Sequence, residues 1–305
     1  MAVSIGVVGA RGHTGWELLT ILGAHPHVEI VFAASRELAG EPVPGFEGLL
    51  YESMGPGELA NRDLDAVFLA LPDGAGAPFV EAVSDDTVMI DISADHRFDP
   101  EWAYGLPELQ RDKIAGSRRI ANPGCYATVM QLALAPLLPS IQGVPAVFGV
   151  SGYSGAGTTP GPRNDPDRLA DNLLPYRLAG HTHEREATLH LGRPVRFTPH
   201  VHQAFRGLLI TAHLPLAHRM EPSEVTDRFE AAYASEPLVD VQVAIPELRD
   251  GTGRTGVLLG GFEVGEDGHH VVVVGVEDNL LKGAAVQAVQ NMNLALGFPE
   301  LTGIL

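Results

Sequence analysis

Cys125 is the one cysteine among 305 residues, and it stands in Asn122-Pro123-Gly124-Cys125-Tyr126-Ala127-Thr128. A free thiol has a pKa of about 8.5, so little of it is thiolate near neutrality unless its surroundings favour the anion. Pro123 and Gly124 break the preceding segment, and residues 126–138 read as a helix carrying Val129, Met130, Leu132, Ala133 and Leu134. Cys125 then falls at a helix N-terminus, where open backbone N–H groups and the positive end of the helix dipole stabilise a thiolate. That placement suits a nucleophile. The competing role for a solitary cysteine is a small, inert, buried hydrophobe.

The elements around such a group must supply a reaction partner. Residues 4–8 form a short buried strand that runs into Gly9-Ala10-Arg11-Gly12-His13-Thr14-Gly15, followed by a helical pattern over 16–22. Glycine at these positions permits a tight turn and lets backbone N–H groups approach a pyrophosphate at the helix N-terminus. Residues 30–34 make a second strand ending in Ser35-Arg36, about 20 residues on, where NAD-binding folds carry an acidic residue for the ribose 2′-hydroxyl. A hydroxyl and a guanidinium favour the 2′-phosphate of NADP instead. Apolar runs at 66–71 and 88–92 flank a helix-like stretch at 77–83, and Pro72-Asp73-Gly74 closes the first run at the edge where ligands sit. This alternation predicts an α/β fold with a Rossmann-type, doubly wound parallel sheet.

The second half changes character. A strand at 146–150 leads into Ser151-Gly152-Tyr153-Ser154-Gly155-Ala156-Gly157-Thr158-Thr159-Pro160, a small-residue loop that would let backbone approach a ligand. Strands at 195–198, 207–214, 257–263 and 271–276, with a helix near 222–234, indicate an α+β domain. Asp278-Asn279-Leu280-Leu281-Lys282-Gly283-Ala284-Ala285 opens a last helix through Val286, Val289, Met292 and Leu296, and Asn279 is placed either to cap it or to reach a ligand.

Composition narrows the classes. A net charge of −18 and a pI near 5.0 oppose general attraction to nucleic acid or anionic membranes. No apolar run approaches a membrane span, and the N-terminus lacks a basic region before its first apolar segment, so a cytoplasmic location is expected. One cysteine makes neither an internal disulfide nor a thiolate zinc cluster. His190, His200 and His202 lack evident carboxylate or thiolate partners, and no metal is expected.

Together, the cysteine, glycine-turn, Ser151–Gly157 and Asp278–Ala285 motifs resemble the N-acetyl-gamma-glutamyl-phosphate reductase family nearly end to end, including Gln287, Asn291, Asn293 and Glu300-Leu301-Thr302. This family resembles the glyceraldehyde-phosphate and aspartate-semialdehyde dehydrogenases. The resemblance implies an NADP-binding Rossmann domain over 1–124 plus 279–305, with the C-terminal helix returning to it. A catalytic and dimerisation domain would occupy 125–278, in a homodimer or homotetramer. It implies the NADPH-dependent third step of arginine biosynthesis: the cysteine attacks an acyl phosphate, phosphate leaves, and the thioester is reduced to an aldehyde.

By the same likeness, the family's His-x-His element matches His181-Thr182-His183, making His183 the general acid/base and His181 a substrate contact. Glu184-Arg185 stands where Thr-Pro often follows. Asn122, Arg97 and Arg206 are the remaining substrate candidates, since a guanidinium fork matches phosphate or carboxylate. Gly9, Arg11, Gly12, His13, Thr14, Gly15, Ser35, Arg36, Pro72, Ser154, Gly155, Ala156, Gly157 and Asn279 form the candidate cofactor set.

Two other functions compete. A reductase of a one-carbon-longer aminoadipyl phosphate on a carrier protein shares this chemistry, but a carrier-linked substrate favours extra basic surface near the pocket and this chain is strongly acidic. A non-catalytic NADP-binding sensor would leave Cys125 dispensable.

Overall fold

Strict alternation of side chains builds the first sheet. In β1 (Val3–Val8), Ile5 and Val7 join one apolar cluster and Val8 another. The sheet continues with β2 (Val28–Ala34), β3 (Tyr51–Glu52), β4 (Ala66–Leu69), β5 (Val88–Asp91), β6 (Ala103–Tyr104) and β7 (Arg119–Ala121). In β4, Ala66 and Phe68 face the first cluster while Val67 and Leu69 face the second. Both faces are therefore covered, as a parallel sheet requires. The strand order is β3-β2-β1-β4-β5-β7-β6, and every pairing is parallel. Helices His13–Gly23 and Val286–Leu296 cover one face, contributing Leu18, Leu22, Val289 and Met292.

The computed structural model describes residues 2–305. It divides into two compact units, Met1–Pro123 with Ala284–Leu305 and Gly124–Gly283. Gly124 and residues 279–283 thus fall in the second unit, whereas the sequence places both in the first. The physical reason is their bonding. Asn279 donates to Ser154 Oγ at 2.9 Å and accepts from Gly207 N at 3.0 Å, and Gly124 N donates to Glu186 Oε1 at 2.9 Å. Asn279 therefore caps no helix; the chain passes through a π-helical turn, Leu281–Ala285, before the terminal helix begins at Val286.

The second unit holds β8 (Ala146–Gly152), β9 (Leu173–Pro175), β10 (Arg196–His202), β11 (Leu208–Pro215), β12 (Val239–Val241), β13 (Val257–Val264) and β14 (His270–Glu277). Their order is β12-β13-β14-β11-β8-β10-β9, with antiparallel pairings through the centre and parallel ones at β8/β10 and β12/β13. The cysteine helix spans Cys125–Leu134, and all of it beyond Cys125 is buried. It stops short of the expected 138 because Pro136 and Pro139 lack N–H groups, and a 3-10 segment, Ala135–Ser140, follows. Pro136 cannot donate to the carbonyl four residues back, at Leu132; the buried Tyr233 hydroxyl does so instead.

Candidate active site

Cys125 occupies the first position of its helix, after Gly124 in extended geometry. Gly124 provides no side-chain cap, and its own N–H is taken by Glu186, whose side chain is fully buried. Glu186 lies one turn from His183 on the helix Thr182–Leu191, so the two share a face. The histidine helix is thereby pinned to the turn that carries the cysteine. The His183 ring also lies 6.0 Å from that of Tyr126, the residue after the nucleophile.

The sequence reading did not place His181 and His183 on a helix. His181 is its N-cap: Nδ1 accepts from His183 N at 3.1 Å. An accepting Nδ1 fixes the proton on Nε2. Burial, with Arg177 and Arg163 nearby, lowers the His181 pKa to about 4, so this ring stays neutral at ordinary pH. Glu184, in the position that departs from the family pattern, accepts from Gly180 N at 3.1 Å and Phe197 N at 2.9 Å and secures the helix start.

Behind the cysteine stands a carboxyl group that the motifs did not show. A Cβ on Gly283 would lie 2.7 Å from both Cys125 Cβ and Glu277 Oε1, so only glycine lets these groups approach. Glu277 and Lys282, five residues later in the chain, are both fully buried. Tyr176 adds a phenol whose pKa is raised to about 12 by burial and by Cys125, an effect Arg163 opposes. Glu186, Glu277 and Tyr176 escaped the sequence reading because they are far from Cys125 in the chain; only the Glu186 spacing from His183, three residues, offered a signal.

The other candidates separate by unit. Arg206 lies in the second unit, its Nη1 3.5 Å from the buried carboxylate of Asp278, close in the chain to Asn279. Ser154, Gly155 and Ala156 form a 3-10 turn within Tyr153–Ala156, and Gly157 follows with φ +78°. Arg97 and Asn122 lie in the first unit and bond to each other: Arg97 Nε donates to Asn122 O at 2.8 Å and Nη2 to Ile92 O at 2.7 Å. Asn122 is fully buried, accepting from Asn291 and donating to Ala284 O. Both thus brace the ends of β5 and β7.

The dinucleotide candidates gather at the carboxyl ends of the first sheet, the edge at which such sheets bind ligands. Gly9 has φ +84°, and a Cβ there would lie 2.1 Å from Ala70 O; at Gly15 it would lie 2.4 Å from Gly9 O. Gly12 differs: a Cβ there would meet nothing closer than Gly9 O at 3.5 Å. The helix it precedes, which begins with His13 and Thr14, has no side-chain cap. This open N-terminus fits a pyrophosphate. Ser35 is buried and its Oγ accepts from Leu38 N at 3.2 Å, whereas Arg36 is exposed with no ion-pair partner among the described residues. Arg11 pairs with Glu37 at 2.9 Å. Beyond Pro72, Asp73 and Asp95 stitch the loops after β4 and β5, accepting from Ala94 N and Gly74 N.

Among the described residues, no cluster of three or more His, Cys, Asp or Glu is placed to hold a metal ion. No helix among them is long and apolar enough to cross a membrane.

Comparison with known proteins agrees with this architecture. Residues 4–117 match the family model described as semialdehyde dehydrogenase, NAD binding domain, and residues 125–279 match semialdehyde dehydrogenase, dimerisation domain. An N-acetyl-gamma-glutamyl-phosphate reductase of Xanthomonas oryzae pv. oryzae is 52% identical over 99% of this chain and 98% of its own length. The protein of that name from Xylella fastidiosa is 49% identical over 99% and 93%. Among solved structures, aspartate semialdehyde dehydrogenase II of Vibrio cholerae, complexed with ASA, aligns at a TM-score of 0.81 with 19% identity, covering 97% of this chain and 99% of that one. That likeness establishes the fold, and the identity to the reductases establishes the kinship: the chain belongs to the semialdehyde dehydrogenase family, within its N-acetyl-gamma-glutamyl-phosphate reductase branch.

Proposed function

We propose that this enzyme reduces N-acetyl-gamma-glutamyl phosphate to N-acetylglutamate 5-semialdehyde and phosphate with NADPH, the third step of arginine biosynthesis, through a thioester on Cys125. The observation that carries the reading is the junction of Gly124 and Glu186, which fastens the helix start bearing Cys125 to the helix bearing His183.

In this mechanism His183 takes the thiol proton as Sγ attacks the acyl carbon. The new C–S bond forms, the bond to the phosphate oxygen breaks, and phosphate leaves. NADPH, when bound, would supply the hydride that the thioester carbon accepts. The alkoxide left on the former carbonyl oxygen then collapses, re-forming the C=O bond as the C–S bond breaks; the aldehyde leaves, and the sulfur takes back the proton held by His183, restoring the cysteine. Neutral His181 orients His183 through the helix cap and donates from Nε2, while Arg97, Asn122 and Arg206 serve substrate binding. Gly9, Arg11, Gly12, His13, Thr14 and Gly15 hold the pyrophosphate, Ser35 and Arg36 the 2′-phosphate, and Pro72, Ser154, Gly155, Ala156, Gly157 and Asn279 complete the cofactor set. Unpaired Arg36 supports NADP over NAD. Assembly into a homodimer or homotetramer belongs to the same proposal, supported by the dimerisation-domain match.

The test runs the reaction backwards, following phosphate-dependent reduction of NADP with N-acetylglutamate semialdehyde. Cys125→Ser should lower kcat on the order of a thousandfold or more; full activity would end the thioester mechanism. Wild-type activity only with the longer aminoadipate semialdehyde would overturn the substrate assignment. Arg36→Ala should raise KM for NADP about tenfold and leave that for NAD unchanged.

A further inference from the structure

Arg163 and Arg177 of the second unit both act on His181, and the reaction as described leaves them unused. Arg163 lies in the loop after the Tyr153–Ala156 turn, and Asn164 pins that loop: its amide nitrogen donates to Gly157 O and Thr159 O at 2.9 Å, and its oxygen accepts from Gly161 N at 2.7 Å. The pinned loop carries the Arg163 guanidinium over the Tyr176 ring, with Cζ 4.9 Å from the centroid. Tyr176 stands edge-on to His181, ring centroids 5.6 Å apart, and His181 lies 4.8 Å from His183. Arg177 follows Tyr176 directly and is held at φ +45°, one of two non-glycine residues with positive φ among those described. Such a conformation is strained for a residue with a Cβ and persists where neighbouring structure enforces it.

Neither arginine has a carboxylate partner among the described residues, although acidic side chains outnumber basic ones 38 to 20. Their charge is felt inward, since both help hold the His181 pKa down. Beside Arg163 is a cavity of about 240 Å³, lined also by Ala156, Thr159, Pro160, Pro162 and Asn164. Arg163 is the one charged group in its wall.

We propose that Arg163, aided by Arg177, is the specificity clamp for the carboxylate at the far end of the acyl chain, and that the adjoining cavity receives the substituent beside that carboxylate. The inference rests on the function proposed above and names the part of the substrate this surface selects. Distance favours the carboxylate over the departing phosphate. Tyr176 and His181 stand between Arg163 and the histidine that serves the reacting carbon, and a glutamyl chain separates acyl carbon from carboxylate carbon by four bonds of about 1.5 Å each. Arg206 is the weaker candidate for this anion, because the buried Asp278 carboxylate 3.5 Å away already balances its charge. A planar guanidinium stacked on a phenol is also held in position before ligand arrives, so less side-chain freedom is lost on binding.

The full-length enzyme is assayed in the aldehyde-oxidising direction with N-acetylglutamate semialdehyde and with 4-acetamidobutanal, which lacks only the carboxylate. Arg163→Gln should lower kcat/KM for the first about 10- to 100-fold and leave the second and the KM for phosphate unchanged. Arg163→Lys should restore part of the loss. Equal losses on both aldehydes, or a raised KM for phosphate, would overturn the clamp. Calorimetric binding of the inert diacid N-acetylglutamate reads the clamp without turnover. Weakening by tenfold or more in Arg163→Gln supports it, and equal binding by wild type and variant, or none by wild type, overturns it. A wild type that binds the diacid through Arg163 but turns over neither aldehyde would sink the proposed reaction and keep the anion site.

Discussion

The two units bring functional groups together by opposite means. In the first, the candidate coenzyme turn works through backbone: Gly9, Gly12 and Gly15 contribute shape and N–H groups at the end of one strand, within seven consecutive residues. In the second, the site works through side chains. Cys125 draws Glu186 and His183 from one helix, Tyr176 from an edge segment, and Glu277 from the end of β14. A backbone site is local and tolerates little change in glycine. A side-chain site depends on buried polar groups, and each of these costs free energy if its partner is removed.

Gly15→Ala should cause the largest failure in this comparison. Its Cβ would meet Gly9 O at 2.4 Å and Ala10 Cα at 2.7 Å, a backbone clash expected to lower stability by about 1–3 kcal/mol or more. Gly12→Ala should leave the thermal midpoint close to wild type while weakening NADP binding, because only ligand competes for the space beside it. Equal melting temperatures for the two variants would break the distinction between a packing glycine and a ligand-facing one.

Glu186→Ala probes the other unit. It leaves Gly124 N–H buried without its acceptor, which should cost about 1–3 kcal/mol. It should also lower kcat with NADP affinity intact, and Glu186→Gln, which keeps the accepting oxygen, should recover most activity. A change in NADP affinity as large as the change in kcat would show that the two functions are not separately housed.

The smallest effect is the dependence of stability on pH. His181 titrates near 6.5 when unfolded and near 4 when folded, so between those values the unfolded chain binds more protons. Stability should therefore decline as pH falls from about 6.5 toward 4. His25, lowered by burial, acts in the same direction. At the alkaline end Tyr176 remains protonated up to about 12, so stability should fall again above pH 10. Denaturant midpoints across these windows check both signs, and His181→Asn, which can still cap the helix, should flatten the acidic limb.

Much of this was legible in the chain. The apolar runs at 66–71 and 88–92 became β4 and β5 because fully buried strands need continuous apolar sequence. The two-residue strands β3 and β6 were not legible, since so short a segment carries no period. The histidine helix was missed because its mean character is polar and its cap is a histidine, a residue seldom read as a helix start. Of the two roles open to Asn279, the cap is the one excluded: its side chain bridges Ser154 and Gly207, partners more than 70 residues away.

The sequence by itself determined the lone thiol at a helix start, the glycine turn after β1 and the order of alternating elements, because each rests on interactions within a few residues. Tertiary structure alone decided what surrounds the thiol: the carboxylate of Glu186 on the Gly124 N–H, Glu277 behind Cys125 across Gly283, and Arg163 over Tyr176. These contacts join residues separated by 13 to 152 positions in the chain. Their geometry follows from how the sheet and helices pack, which local spacing does not encode.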